Sequence, residues 1–195
     1  MGNSISSENS IMSKKEKSLL VEHWINYSND NPPLTKKEKE FIINVKEVTA
    51  KHNVDNVTRT NAYWDFYKKH PEVHWALLAH MVSRNGGWNM TDLKGSIVPN
   101  FLPYNQVSVF FSFLEKANFL IFYDAFPQLL LYEQSKLDNK SLFHLLPSFG
   151  VSTFMMPVWS LFFQHKSSEM LTYALIINEQ SYLEQRVILN PFYQA

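Results

Sequence analysis

The chain has 195 residues, with 18 Lys+Arg balanced by 18 Asp+Glu, 7 His, 15% aromatics, 18% charged residues, 5 Gly and no Cys. That length allows one domain with a sizeable buried core. The lack of Cys excludes disulfides, thiolate zinc sites, iron–sulfur clusters and cysteine nucleophiles. Zero net charge argues against a nucleic-acid binder that works by bulk attraction, which needs clustered Lys and Arg.

The start, Met1-Gly2-Asn3-Ser4-Ile5-Ser6, satisfies the short N-myristoylation pattern. A polar, disordered tail over residues 1–12 is the plainer reading. No apolar run follows it, so no secretory signal is expected. Without secretion, the Asn-x-Ser/Thr sequons at Asn26, Asn56, Asn89 and Asn139 carry no meaning. The expectation is a cytoplasmic protein whose residues 13–195 form a single α-helical domain.

From Ser13 to about Ser28, Leu19, Leu20, Trp24 and Tyr27 share one helical face, and Asn29-Asp30-Asn31-Pro32-Pro33 then breaks the chain. Thr35-Lys36-Lys37-Glu38 reads as a capping box, followed by Phe41, Ile42, Val45 and Val48 at helical spacing. A third helix is predicted from about Thr60 to Lys69, stopped by Pro71. The next is predicted over about 72–84, with Pro71 in its first turn and Gly86-Gly87 as its stop.

Asn105 to about Asp124 is apolar around most of its circumference, which predicts a buried central helix, and Pro127 begins or kinks the one after it. Ser141 to Gln164 contains no Asp, Glu, Lys or Arg, a length that could span a bilayer. Pro147, Gly150 and Pro157 break it, so two short buried helices are expected instead. A last helix runs from Ser168 to about Leu189. The fold class is therefore all-α, about eight helices around a central aromatic-rich one.

The segment His80 to Gly95 departs from the rest in composition. It holds three of the five glycines among His80, Arg84, Asn85, Trp88, Asn89 and Asp92. His80 and Arg84 share a helix face, near Trp88 if the helix persists. Such a set suits a carboxylate, phosphate or sugar held against an aromatic face, with His80 available as general acid or base. The alternative is bracing, with Arg84 paired to Asp92, Trp88 as a core plug and the glycines as a helix stop. On the last helix, if it is central, Asn178 or Glu179 would be drawn inward and need a partner, for which Arg84 and Arg59 are candidates; a solvated helix end is the alternative. No metal-ligand spacing, di-iron pair, nucleotide loop or nucleophile elbow is present, so neither metal nor cofactor is expected.

Thr58-Arg59-Thr60 with Ala62-Tyr63 and Phe66-Tyr67, then His70-Pro71-Glu72 and His74-Trp75-Ala76, resemble the YppC-like family of bacilli. His80–Gly95, the run from Asp124 to Glu133, and Ile177-Asn178-Glu179-Gln180 continue the resemblance, which covers about residues 55–190. It implies a domain of unknown function and assigns no catalytic residue. Members of that family continue well past the Asn190-Pro191 position, so the resemblance implies either a short member or a partial one.

Two function classes follow. The leading one is a non-catalytic interaction or structural protein, which would dock a partner chain or lie peripherally on a membrane through 149–163. The alternative is a small-molecule binding protein or enzyme whose site gathers Arg59, His80, Arg84, Asn85, Trp88, Asn89, Asp92 and Glu179.

Overall fold

The computed structural model describes residues 14–26 and 33–191, without the side chains of residues 14–16, 23, 24, 26, 88–93 and 96. The predicted tail over 1–12, most of the 29–33 loop, and the side chains of Trp24 and Tyr27 lie outside the described residues. Seven α-helices are described: α1 (Lys14–Asn26), α2 (Lys36–His52), α3 (Asn56–Lys69), α4 (His74–Asp92), α5 (Tyr104–Leu137), α6 (Met155–His165) and α7 (Ser168–Leu183). Short π turns follow α4 (Leu93–Ile97) and α7 (Glu184–Ile188), and 3-10 turns occupy Val98–Asn100 and Phe143–Phe149. The class is all-α.

Local chemistry explains most boundaries. At the start of α2 the capping box forms as the sequence predicts: the Thr35 N–H donates to Glu38 Oε2 at 2.8 Å, and the Glu38 N–H to Thr35 Oγ1 at 3.3 Å. Helix α3 begins four residues before its predicted start, because Asp55 and Thr58 make a second box. There the Thr58 N–H donates to Asp55 Oδ1 at 2.7 Å and the Asp55 N–H to Thr58 Oγ1 at 3.1 Å. Pro71 lies in the turn before α4 rather than inside it.

The predicted stop at Gly86-Gly87 is corrected: α4 runs through both glycines to Asp92. Packing against α3 supplies the reason. A Cβ at Gly87 would run into Asn56 Nδ2, whereas one at Gly86 would meet nothing. Asn56 Nδ2 donates to the Ser83 carbonyl at 2.8 Å and Asn56 Oδ1 accepts from Ser83 Oγ at 2.9 Å. Gly87 therefore serves helix approach, not termination.

A second correction concerns the helix start expected at Pro127, which lies inside the uninterrupted 34-residue α5. Ala125, Phe126, Gln128, Leu129 and Leu131 around it are buried on all sides, and this packing overrides the local cost of proline. The first half of α5 is less enclosed than its composition suggests, since Val109, Phe110 and Phe119 are exposed.

One contiguous core joins α2 through α7 around the second half of α5. Its aromatic centre stacks Phe122 on Phe126 at 4.6 Å and Phe143 on Trp159 at 5.7 Å. The 3-10 turn ends at Gly150, whose left-handed φ of 75° suits glycine, and α6 follows. This is the predicted pair of short buried helices. It also overturns 149–163 as a docking face: Phe149, Val151, Met155, Met156, Val158, Trp159, Leu161 and Phe162 are buried. Their apolar excess is spent on α5 and α7 inside the fold. No helix among the described residues is long and apolar enough to cross a membrane.

A polar brace fixes the turn between α3 and α4. The Tyr132 hydroxyl and Lys136 Nζ both donate to Glu72 Oε1 at 2.7 Å, and Lys166 Nζ donates to the Tyr132 oxygen at 3.0 Å. Burial opposes ionisation of Glu72, but these hydrogen bonds outweigh it and hold its pKa down to about 2.

Candidate functional site

The sequence candidates separate into two places. His80, Arg84 and Gly87 line an open cleft of about 1170 Å³ between α3 and α4, together with Asn56, Thr60 and Trp64. Much of its polar wall is engaged within the fold. His80 Nδ1 lies 3.0 Å from the Thr60 carbonyl, which can only accept, so Nδ1 carries the hydrogen. The His80 ring lies 5.0 Å from that of Trp64, and Thr60 Oγ1 bonds Ser83 Oγ at 2.7 Å. Arg84 and Asn85 are exposed. The side chains of Trp88, Asn89 and Asp92, and with them an Arg84–Asp92 pair, lie outside the described residues.

Arg59 and Glu179 come together elsewhere, in a smaller cavity of about 200 Å³ among α3, α4, α5 and α7. Helix α3 supplies Arg59 and Tyr63, α4 Trp75 and Ala79, α5 Asn118 and Ile121, and α7 Ile176 and Glu179. Arg59 is buried. Its Nη1 donates to Asn53 Oδ1 at 3.0 Å and its Nη2 to Glu115 Oε1 at 2.7 Å, while its Nε has no hydrogen-bond partner. Tyr63 and Trp75 pack edge to face at 5.5 Å.

Glu179 has a buried oxygen, Oε1, with no hydrogen-bond partner. Burial raises its pKa to about 8, with the negative charge of Asp124 adding to the rise and a hydrogen bond from Trp75 opposing it. Asp124 is itself buried on α5. Its Oδ2 accepts from Asn178 Nδ2 at 2.6 Å and from Gln128 Nε2 at 2.9 Å, while its Oδ1 has no partner. Gln128 Oε1 in turn accepts from the Trp159 indole at 2.8 Å. Burial lifts the Asp124 pKa to about 6, against the pull of Asn178, Arg186 and Gln128. Burial likewise raises the Tyr63 hydroxyl well above its usual range.

Of these two carboxyls with raised pKa, Glu179 lines the cavity, which makes the cavity a candidate site by physical criteria. The sequence reading offered Arg59 and Arg84 as partners for an inward Asn178 or Glu179; Arg59 shares the cavity with Glu179, and Arg84 does not. Asn178 pairs with Asp124, Arg59 with Asn53 and Glu115, and Arg84 stays in the outer cleft. Tyr63 and Trp75 of the cavity lining, and Asp124 and Gln128 behind it, were not among the sequence candidates, although they lie in the strings that carry the family resemblance. Among the described residues no group of three or more His, Asp or Glu is placed to hold a metal ion.

Comparison with known proteins bears on this arrangement. Residues 51–195 match the family model described as "Protein of unknown function (DUF2515)". The chain belongs to that family. A curated relative, the "Uncharacterized protein YppC" of Bacillus subtilis (strain 168), is 50% identical over 156 residues, covering 80% of this chain and 49% of the relative. The chain thus spans about half the length of the curated relative it matches. No solved structure matches. Neither description names an activity, so a functional reading rests on the chemistry of the site.

Proposed function

We propose that this DUF2515 chain is a cytoplasmic binding module for a small polar molecule, held in the α3–α4–α5–α7 cavity by Arg59, Tyr63, Trp75 and Glu179. The observation that supports it is the pair of buried atoms left without partners on residues lining one cavity, Glu179 Oε1 and Arg59 Nε. An unsatisfied buried polar atom costs about 1–3 kcal/mol, and more when charged. A ligand in the cavity that reaches these two atoms would relieve that cost. The surrounding apolar lining supplies contact area, and the few polar heads supply orientation.

A melting-temperature screen of the wild-type protein against small polar metabolites tests this. Stabilising compounds should lose their effect in Glu179→Gln and in Trp75→Phe. The reading fails when nothing stabilises the protein, or when both variants respond as the wild type does.

The interaction reading is favoured by a different surface from the 149–163 segment. Phe101 and Tyr104 are 80% and 91% exposed, and Val109 and Phe110 follow on the first half of α5. Scattered exposed apolar residues are ordinary, but a run of this kind suits a protein contact. Sedimentation of Phe101→Ser/Tyr104→Ser beside the wild type tests it, and an unchanged clean monomer in both would defeat it.

A further inference from the structure

We infer that the α3–α4–α5–α7 cavity takes a small ammonium compound that also carries an oxygen acceptor, with its ammonium on the Glu179 carboxyl and its oxygen on Arg59. This rests on the small-molecule reading above and names the ligand class.

Charge decides the sign of the ligand. The Arg59 guanidinium is already matched by Glu115 at 2.7 Å, so it brings little surplus positive charge for an anion. The remaining charged neighbours of Glu179 add none: Asp124 on α5 is negative when ionised, and Arg186 acts on Asp124 from beyond α7. From α3, Tyr63 is held as the neutral phenol by burial, and from α4 the indole of Trp75 carries no charge. A cation that ionises Glu179 leaves the site neutral, whereas an anion would add charge next to Asp124. The indole and phenol rings of the lining also favour an ammonium by cation–π attraction.

The unpartnered Arg59 Nε sets the second requirement. It is a donor only, so the ligand must present an acceptor on that side. Size sets the third. A cavity of about 200 Å³ holds about six waters at their liquid volume, which limits the ligand to a similar number of heavy atoms.

Binding of such a cation is coupled to proton release. Glu179 is protonated in the free protein near neutrality and must ionise to receive the ammonium. Affinity should therefore rise about tenfold per pH unit below a pH of about 8 and level off above it.

The test titrates the whole chain with four probes of matched size: ethanolamine, n-propylamine, n-propanol and propionate. Calorimetry at pH 7 in two buffers of different ionisation heat reads both affinity and proton release. Ethanolamine is expected to bind most tightly, propylamine several-fold more weakly, and the neutral and anionic probes without measurable heat. Ethanolamine binding should release close to one proton and remove the infrared band of a protonated carboxyl. Glu179→Gln, confirmed folded by circular dichroism, should lose the binding and the band.

Propionate or propanol binding as well as ethanolamine, or ethanolamine binding with no proton release, overturns the ammonium assignment. Absence of heat with every probe overturns it too. In either case the metabolite screen decides separately whether another small molecule occupies the site. A screen that also yields nothing brings down the small-molecule reading itself.

Discussion

Glu179 gives the sharpest forecast. In the unfolded chain its carboxyl ionises near the ordinary value of 4.5, and in the fold at about 8. Between those values the folded state keeps a proton that the unfolded state has lost. Stability must therefore fall as pH rises through this window and level off above about 8. At about 1.4 kcal/mol per unit, the full window is worth on the order of 5 kcal/mol. Asp124 acts in the same direction, but only from 3.8 to about 6. The interval from pH 6 to 9 thus isolates Glu179, where roughly 3 kcal/mol should be lost. Glu179→Gln keeps the shape and removes the ionisation. Urea unfolding followed by tryptophan fluorescence at pH 6, 7, 8 and 9 should show the wild type losing stability while the variant loses much less. Other titrating groups are common to both proteins, so the readout is the difference in slope. Parallel curves would refute the claim that Glu179 is buried and protonated.

Gly86→Ala should stabilise by about 1 kcal/mol through helix propensity, because its Cβ would meet nothing. Gly87→Ala should destabilise, since displacing Asn56 costs two hydrogen bonds of about 1 kcal/mol each against the same gain. Thermal melts of the two variants should move in opposite directions. Trp159→Phe leaves Gln128 Oε1 buried without its donor and should cost about 2 kcal/mol or more by chemical denaturation. Glu72, held down to about 2, contributes stability above pH 4.5 that is lost as pH falls towards 2; Glu72→Gln should flatten the acid limb of the stability curve.

The sequence revealed what depends on near neighbours. The Thr35–Glu38 box lies within one turn, so its residue types alone announce it. The uncharged run from Ser141 to Gln164 could be read as core because its prolines and glycine rule out a membrane span. Gly87 was misread for the opposite reason: a glycine pair looks like a stop locally, and only Asn56, 31 positions earlier, shows that it admits a neighbouring helix. A helix start at Pro127 was misread likewise, since the packing that carries α5 through it comes from distant segments. The site followed the same rule. Glu179 was legible as a polar residue on an apolar helix, but Asp124, Trp75 and Arg59 reach it only through the tertiary fold. His80 and Arg84 stood out by composition, yet they line a cleft whose polar groups largely serve one another.

The packing of α2 has a consequence for where this module begins. Ile42 and Val45 are buried in the common core, and Glu38 accepts a hydrogen bond from His144 at 2.9 Å. Yet the family match begins at residue 51, at the very end of α2. The family match therefore starts inside the folded unit. A polypeptide cut at residue 51 would keep the whole family match. It would also bare the apolar wall that α2 covers, and should self-associate where the longer chain does not.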